Sequence, residues 1–146
     1  MTREEKAAQM FTASYNCAQS VLTSFSDKTG LSEEVSCKIS CAFGAGAGRR
    51  QYMCGAVSGA LTALSAVHGR GLKDDSSVQD KTYALTRDFL SKFEEKHGTV
   101  ECRKLLDGAN LMTDEGQTRF KNENMKKNRC TIFVKDAVEI LEEIVQ

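Results

Sequence analysis

The chain carries six cysteines, and their thiols have the widest chemical repertoire in this sequence: Cys17, Cys37, Cys41, Cys54, Cys102 and Cys130. A thiolate is a nucleophile, a redox group and a ligand for soft metals. No two of the six stand in a C-x-x-C, which excludes a local thioredoxin-type dithiol or zinc ribbon, and the lack of C-x-x-C-H excludes covalently attached haem. The closest pair, Cys37 and Cys41, is four residues apart. A site that uses several thiols must therefore be assembled by tertiary folding.

Cys54 lies within the run FGAGAGRRQYMCGAVSGA, residues 43–60, where glycine and alanine surround a single thiol. We expect it in or near the first turn of a helix, where unpaired N–H groups and the helix dipole favour a thiolate. Arg49 and Arg50, just upstream, act in the same direction. These features predict a lowered pKa for Cys54, as a nucleophile or a metal ligand requires. The alternative is a small buried cysteine that only fills space in the core.

The glycines around Cys54 have more than one explanation. The motif GAGAGR resembles a dinucleotide-binding turn, but that turn needs a strand before it, and here a helix is predicted. Gly55 and Gly59 lie inside the next predicted helix, where each glycine costs about 0.5–1 kcal/mol relative to alanine. Tight helix packing would compensate for this cost. Room for a cofactor or a second sulfur beside Cys54 is the other explanation.

The two histidines, His68 and His97, each stand immediately before a glycine. We expect each in the last turn of a helix, where exposed carbonyl groups favour a cation or a hydrogen-bond donor. Metal ligation is the alternative. No Ser/His/Asp set and no paired carboxylates stand out, so hydrolysis by acid–base chemistry is not predicted.

The elements that position these residues are predicted to be helices throughout. The chain has no proline, shows little strand-like alternation and repeats apolar residues at helical spacing. We therefore expect an all-α fold, with residues 1–146 forming a single-domain compact helical bundle of five to six helices. The stretch 108–129 is predicted to be mostly loop. The expected helices cover 3–25, 32–43, 51–68, a segment containing Leu85, Phe89 and Phe93 that stops at Gly98, a short segment capped by Thr99, and the chain from about Asn128 almost to the end.

Composition limits the partners and the compartment. The 20 basic and 20 acidic residues balance, so no charge excess attracts nucleic acid or an anionic membrane. No stretch approaches the roughly 20 apolar residues of a membrane span, and the start MTREEKAAQMF lacks the apolar core of a signal peptide. We expect a soluble cytoplasmic protein with no membrane insertion, and a second copy of the chain is a candidate partner. Thiols retained in the cytosol more often serve metals or redox chemistry than structural disulfides.

Four segments together resemble a known family. They are YNCAQSVL, FGAGAGRRQYMCGAVSGAL, FLSKFEEKHGTVECRKLL and NRCTIFVKDAVEIL. Their order and spacing resemble the redox-active proteins of bacteria and archaea that are known by the cysteine pattern C_GCAxxG_C_C. The pattern's cysteines fall on Cys17, Cys54, Cys102 and Cys130, while Cys37 and Cys41 lie outside it. Gly55, Ala56 and Gly59 complete the element CGAxxG. The chain has FGAG where the family usually has FGGG.

The resemblance implies redox or metal chemistry at the four matched cysteines, with Gly55 and Gly59 beside a cofactor. The family is similar to the core of split-Soret cytochromes c, which implies an iron–sulfur cluster on the four thiolates here, without haem. As a dithiol oxidoreductase, the chain would use Cys54 as the attacking thiolate and another matched cysteine as its resolving partner. The alternative is a non-catalytic protein that holds zinc or another soft metal in the same thiolates. Family members encoded beside transporter genes imply a link to transport. The redox partner or substrate stays open, and Cys37 and Cys41 are predicted to be dispensable.

Overall fold

The computed structural model describes all residues of the chain, Met1–Gln146. The fold is all-α, as predicted, and no strand is present. A 3₁₀ turn covers Cys41–Phe43, and a π-helical turn, Lys126–Cys130, runs directly into the last helix. The nine α-helices are α1 Arg3–Thr12, α2 Cys17–Ser24, α3 Ser26–Thr29, α4 Glu33–Ser40, α5 Gly55–His68, α6 Ser76–His97, α7 Cys102–Leu105, α8 Asp114–Asn122 and α9 Thr131–Ile144.

The prediction of five to six helices was too low, chiefly because the first predicted helix is interrupted. Ser14 has a left-handed φ of 80°, which ends the α1 segment. Asn16 then caps α2: its side chain accepts the N–H of Gln19 at 2.9 Å, and the Gln19 side chain accepts the N–H of Asn16 at 3.1 Å. This reciprocal capping box satisfies two otherwise unpaired donors and starts a new helix. A second addition is α8, in the stretch predicted as loop, which Thr113 caps by accepting the N–H of Gly116.

The core forms where α5 packs closely on α2. A Cβ atom added at Gly59 would lie 2.7 Å from the carbonyl oxygen of Ala18 and 2.9 Å from its Cα. Only a residue without a side chain allows the two backbones to approach this closely. The helix α9 contacts α1, α2, α5 and α6, and its buried residues complete the core. Tight helix packing therefore explains Gly59.

The backbone of the glycine-rich segment that precedes α5 is in the left-handed conformation. Ala45, Gly46, Ala47, Gly48 and Arg49 all have φ between 52° and 70°. The turn is held by backbone hydrogen bonds, including that from the N–H of Gly48 to the carbonyl of Gly44 at 3.0 Å. A left-handed conformation costs roughly 1–2 kcal/mol at each residue that has a Cβ. The rest of the fold must hold this segment in place.

The longest helix, α6, contacts α9 through lysine–glutamate ion pairs and one hydrogen bond between a histidine and a carboxylate. Lys96 lies 3.6 Å from Glu139, and His97 Nε2 lies 2.7 Å from a carboxylate oxygen of Asp136. His97 is the last residue of α6 and is followed by the left-handed Gly98. His68 is likewise the last residue of α5. Both histidines thus stand at helix ends, as predicted. No helix combines the length and the apolar character needed to cross a membrane.

Candidate functional site

The four cysteines of the predicted site all lie at the start of a helix or at the point where a π-helical turn continues as an α-helix. Cys17 is the first residue of α2, and Cys102 is the first residue of α7. Cys54 immediately precedes α5. Cys130 closes the π-helical turn and immediately precedes α9. The sequence interpretation had placed Cys17 within a long helix, so the break at Asn16 adds Cys17 to the cysteines found at helix starts.

A short antiparallel backbone contact brings the segments of Cys54 and Cys102 together. Met53 and Glu101 form an isolated β-bridge. The N–H of Cys54 donates to the carbonyl of Val100 at 2.7 Å, and the N–H of Cys102 donates to the carbonyl of Tyr52 at 2.6 Å. The segment predicted as the start of the third helix, residues 51–54, is not helical: Gln51 is left-handed, with φ of 57°, and Met53 lies in the bridge. This contact places two cysteines that are distant in sequence beside each other.

Gly55 allows Cys17 to approach this pair. A Cβ atom added at Gly55 would lie 3.2 Å from the Cβ of Cys17 and 2.9 Å from the carbonyl oxygen of Phe43. The absence of a side chain at Gly55 therefore lets the first turn of α2 pack against the start of α5. Gly59, one turn further along α5, does not line the site and lies against the backbone of Ala18.

All four cysteines line one cavity with a volume of about 90 Å³. This is several times the roughly 10–15 Å³ that one water molecule requires. Cys54, Cys102 and Cys130 are buried, and Cys17 is half-buried. The remaining walls are almost entirely apolar. They consist of Asn16, Ala45, Gly55, Leu105, Leu106, Leu111, Phe120 and Phe133.

Burial keeps two of the four thiols protonated. It raises the pKa of Cys54 from 9.0 to about 12, against the opposing effect of the backbone N–H groups of Ala56 and Val57. It raises the pKa of Cys102 to about 12 as well, and negative charge on Cys54 and Cys130 adds to this effect. The sequence interpretation expected a lowered pKa at Cys54 from its place at a helix start. The structure gives the opposite direction, because loss of hydration opposes the thiolate more than the helix terminus stabilises it.

Cys17 and Cys130 form an interacting pair with opposite pKa shifts. The neighbouring Cys17 thiol lowers the pKa of Cys130, and the positive charges of Lys126 and Arg129 lower it further against the effect of burial. The same interaction with Cys130 raises the pKa of Cys17, and burial of Cys17 adds to this rise. A polar interaction that favours the charged form of one thiol disfavours the charged form of the other. Cys130 is therefore the one thiol of the cavity whose pKa shifts toward the thiolate.

Two polar residues that support the cavity were missed by the sequence interpretation. Asn16 caps α2 and lines the cavity, and its side-chain NH₂ donates to the carbonyl of Cys41 at 2.9 Å. The spacing of Asn16 and Gln19 in NCAQ is a capping-box signal that would have identified it. Gln51 is buried and donates to the carbonyl of Ala109 at 2.7 Å.

Gln51 connects the left-handed segment to two walls of the cavity. Its side-chain oxygen accepts the N–H of Leu111 at 2.8 Å, and its side chain slightly opposes the raised pKa of the Cys102 thiol. Because its partners lie about 50 to 60 residues away in the chain, no local pattern identifies Gln51.

Cys37 and Cys41 lie outside the cavity. Cys37 is half-buried, with its sulfur 3.5 Å from the hydroxyl of Thr23, and Cys41 is exposed. All six cysteines of the chain are free thiols in this structure. The structure thus separates the two cysteines outside the family pattern from the four within it.

The four thiols are not arranged around a single ion. No group of three or more His, Cys, Asp or Glu side chains has the spacing to hold one metal ion. A tetrahedral zinc ion needs its sulfur ligands at about 2.3 Å, so this arrangement would have to contract before it could bind such an ion.

Comparison with known proteins identifies the family of the chain. The family described as "Putative redox-active protein (C_GCAxxG_C_C)" matches residues 15–144, nearly the whole chain. The chain belongs to this family. No curated protein and no solved structure shows a match to the chain. The matched region of this C_GCAxxG_C_C protein contains all four cysteines that line the cavity.

Proposed function

We propose that the chain is a redox-active protein that works by reversible thiol–disulfide exchange, with Cys130 as the attacking thiolate and Cys17 as the resolving thiol. The observation that supports this assignment is that Cys17 and Cys130 line one cavity with the other two cysteines and shift each other's pKa in opposite directions. The lowered pKa of Cys130 fits a nucleophile, and a neighbouring protonated thiol fits a resolving group. The chain belongs to a family that is described as redox-active, which agrees with this assignment.

The proposed reaction uses a disulfide as its oxidant. The Cys130 thiolate attacks one sulfur of the external disulfide, forms a mixed disulfide and releases one external thiolate. Cys17 then loses its proton and attacks the Cys130 sulfur, which releases the second external thiolate and leaves a Cys17–Cys130 disulfide. Two electrons pass from the protein thiols to the external disulfide. The reverse reaction restores the two thiols.

Cys54 and Cys102 have a different part in this proposal. With pKa values of about 12, both stay protonated at neutral pH and do not compete as nucleophiles. They line the cavity as neutral and weakly polar groups. Their neutrality also avoids additional negative charge beside Cys130, which would otherwise raise the pKa of that thiol.

The test is to oxidise the protein with a small organic disulfide and to map the cysteine links by mass spectrometry without reduction. The double variant Cys37→Ser/Cys41→Ser serves as the background, so that the two cysteines outside the cavity cannot exchange. We expect a Cys17–Cys130 link in this variant and its reduction by dithiothreitol. A protein that stays fully reduced, or a link that excludes Cys130, would contradict the proposal.

An iron–sulfur cluster is the second candidate, and one observation favours it over a single zinc ion. All four thiols line a common cavity, yet no three of them have single-ion spacing. Iron–sulfur clusters are larger than one ion and are commonly held by four thiolates. Cys17, Cys54, Cys102 and Cys130 would hold the cluster, which would supply one-electron transfer. The side chains that form the apolar walls would exclude water from it.

Anaerobic purification distinguishes these candidates. Brown protein with iron and sulfide in the preparation would support the cluster, and colourless protein with one zinc per chain would support the metal-binding alternative. Colourless, metal-free protein that exchanges with a disulfide is the result expected from the proposed function. The Cys37→Ser/Cys41→Ser variant is the matched control, because its cavity keeps all four thiols.

A further inference from the structure

The cysteine cavity is too small to hold a whole disulfide substrate. Its volume is about 90 Å³, whereas pockets that enclose small ligands measure roughly 300–1,000 Å³. A substrate of Cys130 must therefore bring its sulfurs to the cavity and place the rest of its body on the neighbouring surface. The chemistry of that surface determines which disulfides bind.

An open groove with a volume of about 470 Å³ lies next to the cavity. Phe133 lines both, so the groove and the cavity share a wall. Three other open grooves of similar volume share no residue with the cavity. The body of a substrate can therefore lie in the groove that Phe133 borders. Its lining residues are His97, Glu123, Asn128, Arg129, Ile132 and Phe133.

Arg129 carries the unpaired charge of this groove. The Glu123 carboxylate accepts a hydrogen bond from Nε of Arg119 at 2.7 Å. His97 Nε2 lies 2.7 Å from a carboxylate oxygen of Asp136. Arg129, in contrast, forms no ion pair with an acidic side chain. The groove thus presents one positive charge that the protein itself does not neutralise.

One edge of the Arg129 guanidinium is free to bind a ligand. Its Nη1 donates to the carbonyl of Leu105 at 3.1 Å, and its Nε and Nη2 donate to no protein group. Those two nitrogens form an edge that binds a carboxylate through two parallel hydrogen bonds. Arg129 is half-buried, so salt screens its charge less than that of a fully exposed cation.

This charge lies close to the proposed nucleophile. Arg129 directly precedes Cys130, and consecutive Cα atoms are about 3.8 Å apart. The positive charges of Arg129 and Lys126 both act on the Cys130 thiol. A carboxylate held by Arg129 would therefore keep a disulfide that is only a few bonds away near Cys130.

We propose that the groove is the substrate-binding subsite of the exchange site and selects disulfides whose arms end in a carboxylate, with Arg129 as the specificity-determining residue. This assignment rests on the proposed thiol–disulfide exchange. The carboxylate of one arm binds the free edge of Arg129, and one sulfur of the disulfide meets the Cys130 thiolate. Cys130 keeps the half that carries the attacked sulfur, and the other half leaves as a thiolate.

The test compares three disulfides that have the same two-carbon arms and differ only in their ends: dithiodipropionate, bis(hydroxyethyl) disulfide and cystamine. Their rates with the Cys37→Ser/Cys41→Ser protein are measured at low salt, and each is divided by the rate of the same disulfide with dithiothreitol to correct for intrinsic reactivity. We expect the corrected rate to be highest for the carboxylate, intermediate for the hydroxyl and lowest for the ammonium compound. Added salt should reduce these differences.

The outcomes separate the substrate class from the exchange function. Equal corrected rates, or a preference for cystamine, would overturn the substrate class and leave the exchange function intact. No reaction with any of the three disulfides would overturn the exchange function and this assignment with it.

Arg129→Gln tests the residue assigned to selection. It should lower the ratio of the carboxylate rate to the hydroxyl rate by about fivefold, the upper range for a partly exposed charge pair. The loss of positive charge beside Cys130 slows both reactions alike and so cancels in this ratio. Lys127→Gln is the matched control: it removes the same charge from the same π-helical turn but does not line the groove, so its ratio should stay unchanged.

Arg129→Lys keeps the charge and loses the two-nitrogen edge, so its ratio should fall between those of the wild type and Arg129→Gln. An unchanged ratio in both Arg129 variants, or an equal loss in Lys127→Gln, would overturn the role of Arg129.

Discussion

At the scale of the residue, the environment of each thiol decides its chemistry. Cys54 and Cys130 both stand immediately before a helix, and both are buried. Cys130 differs because the Cys17 thiol and the positive charges of Lys126 and Arg129 lower its pKa. Position at a helix start alone therefore does not set the direction of the pKa shift. The neighbours that folding supplies determine it.

Replacement of Cys17 by alanine should weaken Cys130 as a nucleophile. The change removes the neighbouring thiol, whose interaction with Cys130 contributes most to the lowered pKa of Cys130. In the Cys37→Ser/Cys41→Ser background we expect the reaction with a disulfide reagent at neutral pH to slow by about threefold for each unit by which the pKa of Cys130 rises above the ambient pH. The thiolate fraction falls by about tenfold per unit, and the remaining thiolate becomes about threefold more nucleophilic. Stopped-flow measurement against pH should show the shift, and Cys130→Ser should abolish the fast phase. An unchanged rate in Cys17→Ala would contradict the pairing.

The mixed disulfide should accumulate in the same variant. Cys17 is the resolving thiol of the proposed reaction, so a chain without it cannot complete the second exchange. After treatment of Cys17→Ala with a small disulfide, intact-mass spectrometry should show one stable adduct on Cys130. Resolution at the wild-type rate would mean that Cys54 or Cys102 replaces Cys17.

The raised pKa values of Cys54 and Cys102 should make the protein sensitive to alkaline pH. Above pH 9 the unfolded chain loses these protons while the folded chain retains them up to about pH 12, so the free energy of unfolding falls through this window. A rise from 9.0 to about 12 corresponds to about 4 kcal/mol for a buried thiol. Cys54→Ala should lose less stability than the wild type between these pH values in urea unfolding. Parallel pH curves for the two proteins would contradict this assignment.

At the scale of the element, close packing of α5 on α2 positions Cys17 beside Cys54. Gly55 contacts Cys17, and Gly59 contacts the backbone of Ala18 one turn further along. The atoms next to Gly59 belong to backbone, which cannot move aside as a flexible side chain can. The small residues of α5 thus determine how near the two cysteine segments approach.

Gly59→Ala should therefore destabilise the fold although alanine favours a helix. Its Cβ would lie 2.7 Å from the carbonyl oxygen of Ala18. Overpacking of this kind costs typically 1–3 kcal/mol, against the about 1 kcal/mol gained in helix propensity. The matched control is Ser65→Ala on the exposed side of the same helix, which should leave stability unchanged or slightly higher. A higher melting temperature for Gly59→Ala would show that α2 and α5 are not in close contact.

At the scale of the whole molecule, the cavity joins residues from both ends of the chain. Cys17 comes from α2 near the start, and Cys130 immediately precedes the last helix. A disulfide between them would close a loop that includes most of the fold. The proposed disulfide would thereby link redox state to the stability of the entire domain.

Oxidation should accordingly stabilise the protein. A disulfide that closes a long loop restricts the unfolded chain and typically adds about 2–4 kcal/mol. We expect the oxidised Cys37→Ser/Cys41→Ser protein to unfold at a higher urea concentration than its reduced form. The Cys17→Ala derivative, treated in the same way, should show no such increase. Equal midpoints for the oxidised and reduced forms would indicate that the disulfide strains the fold or does not form.

Local sequence patterns determined the fold class and several helix ends. The lack of proline and the helical spacing of apolar residues predicted an all-α chain, and glycines after His68 and His97 predicted where α5 and α6 end. The capping box of Asn16 also lies within four residues and was available to the same reasoning. These features depend on neighbours in the chain, which the sequence contains directly.

The cysteine site was determined only in part by the sequence. The spacing of the four cysteines identified the family, and the match over residues 15–144 confirmed it. The extended contact of Met53 with Glu101, the left-handed turn and the bonds of Gln51 join residues from distant parts of the chain. The opposite pKa shifts of Cys130 and Cys54 likewise depend on Cys17, which is 113 positions before Cys130 in the printed sequence. Desolvation and polar contacts act through space, so only the tertiary structure could decide which thiol has the lowered pKa.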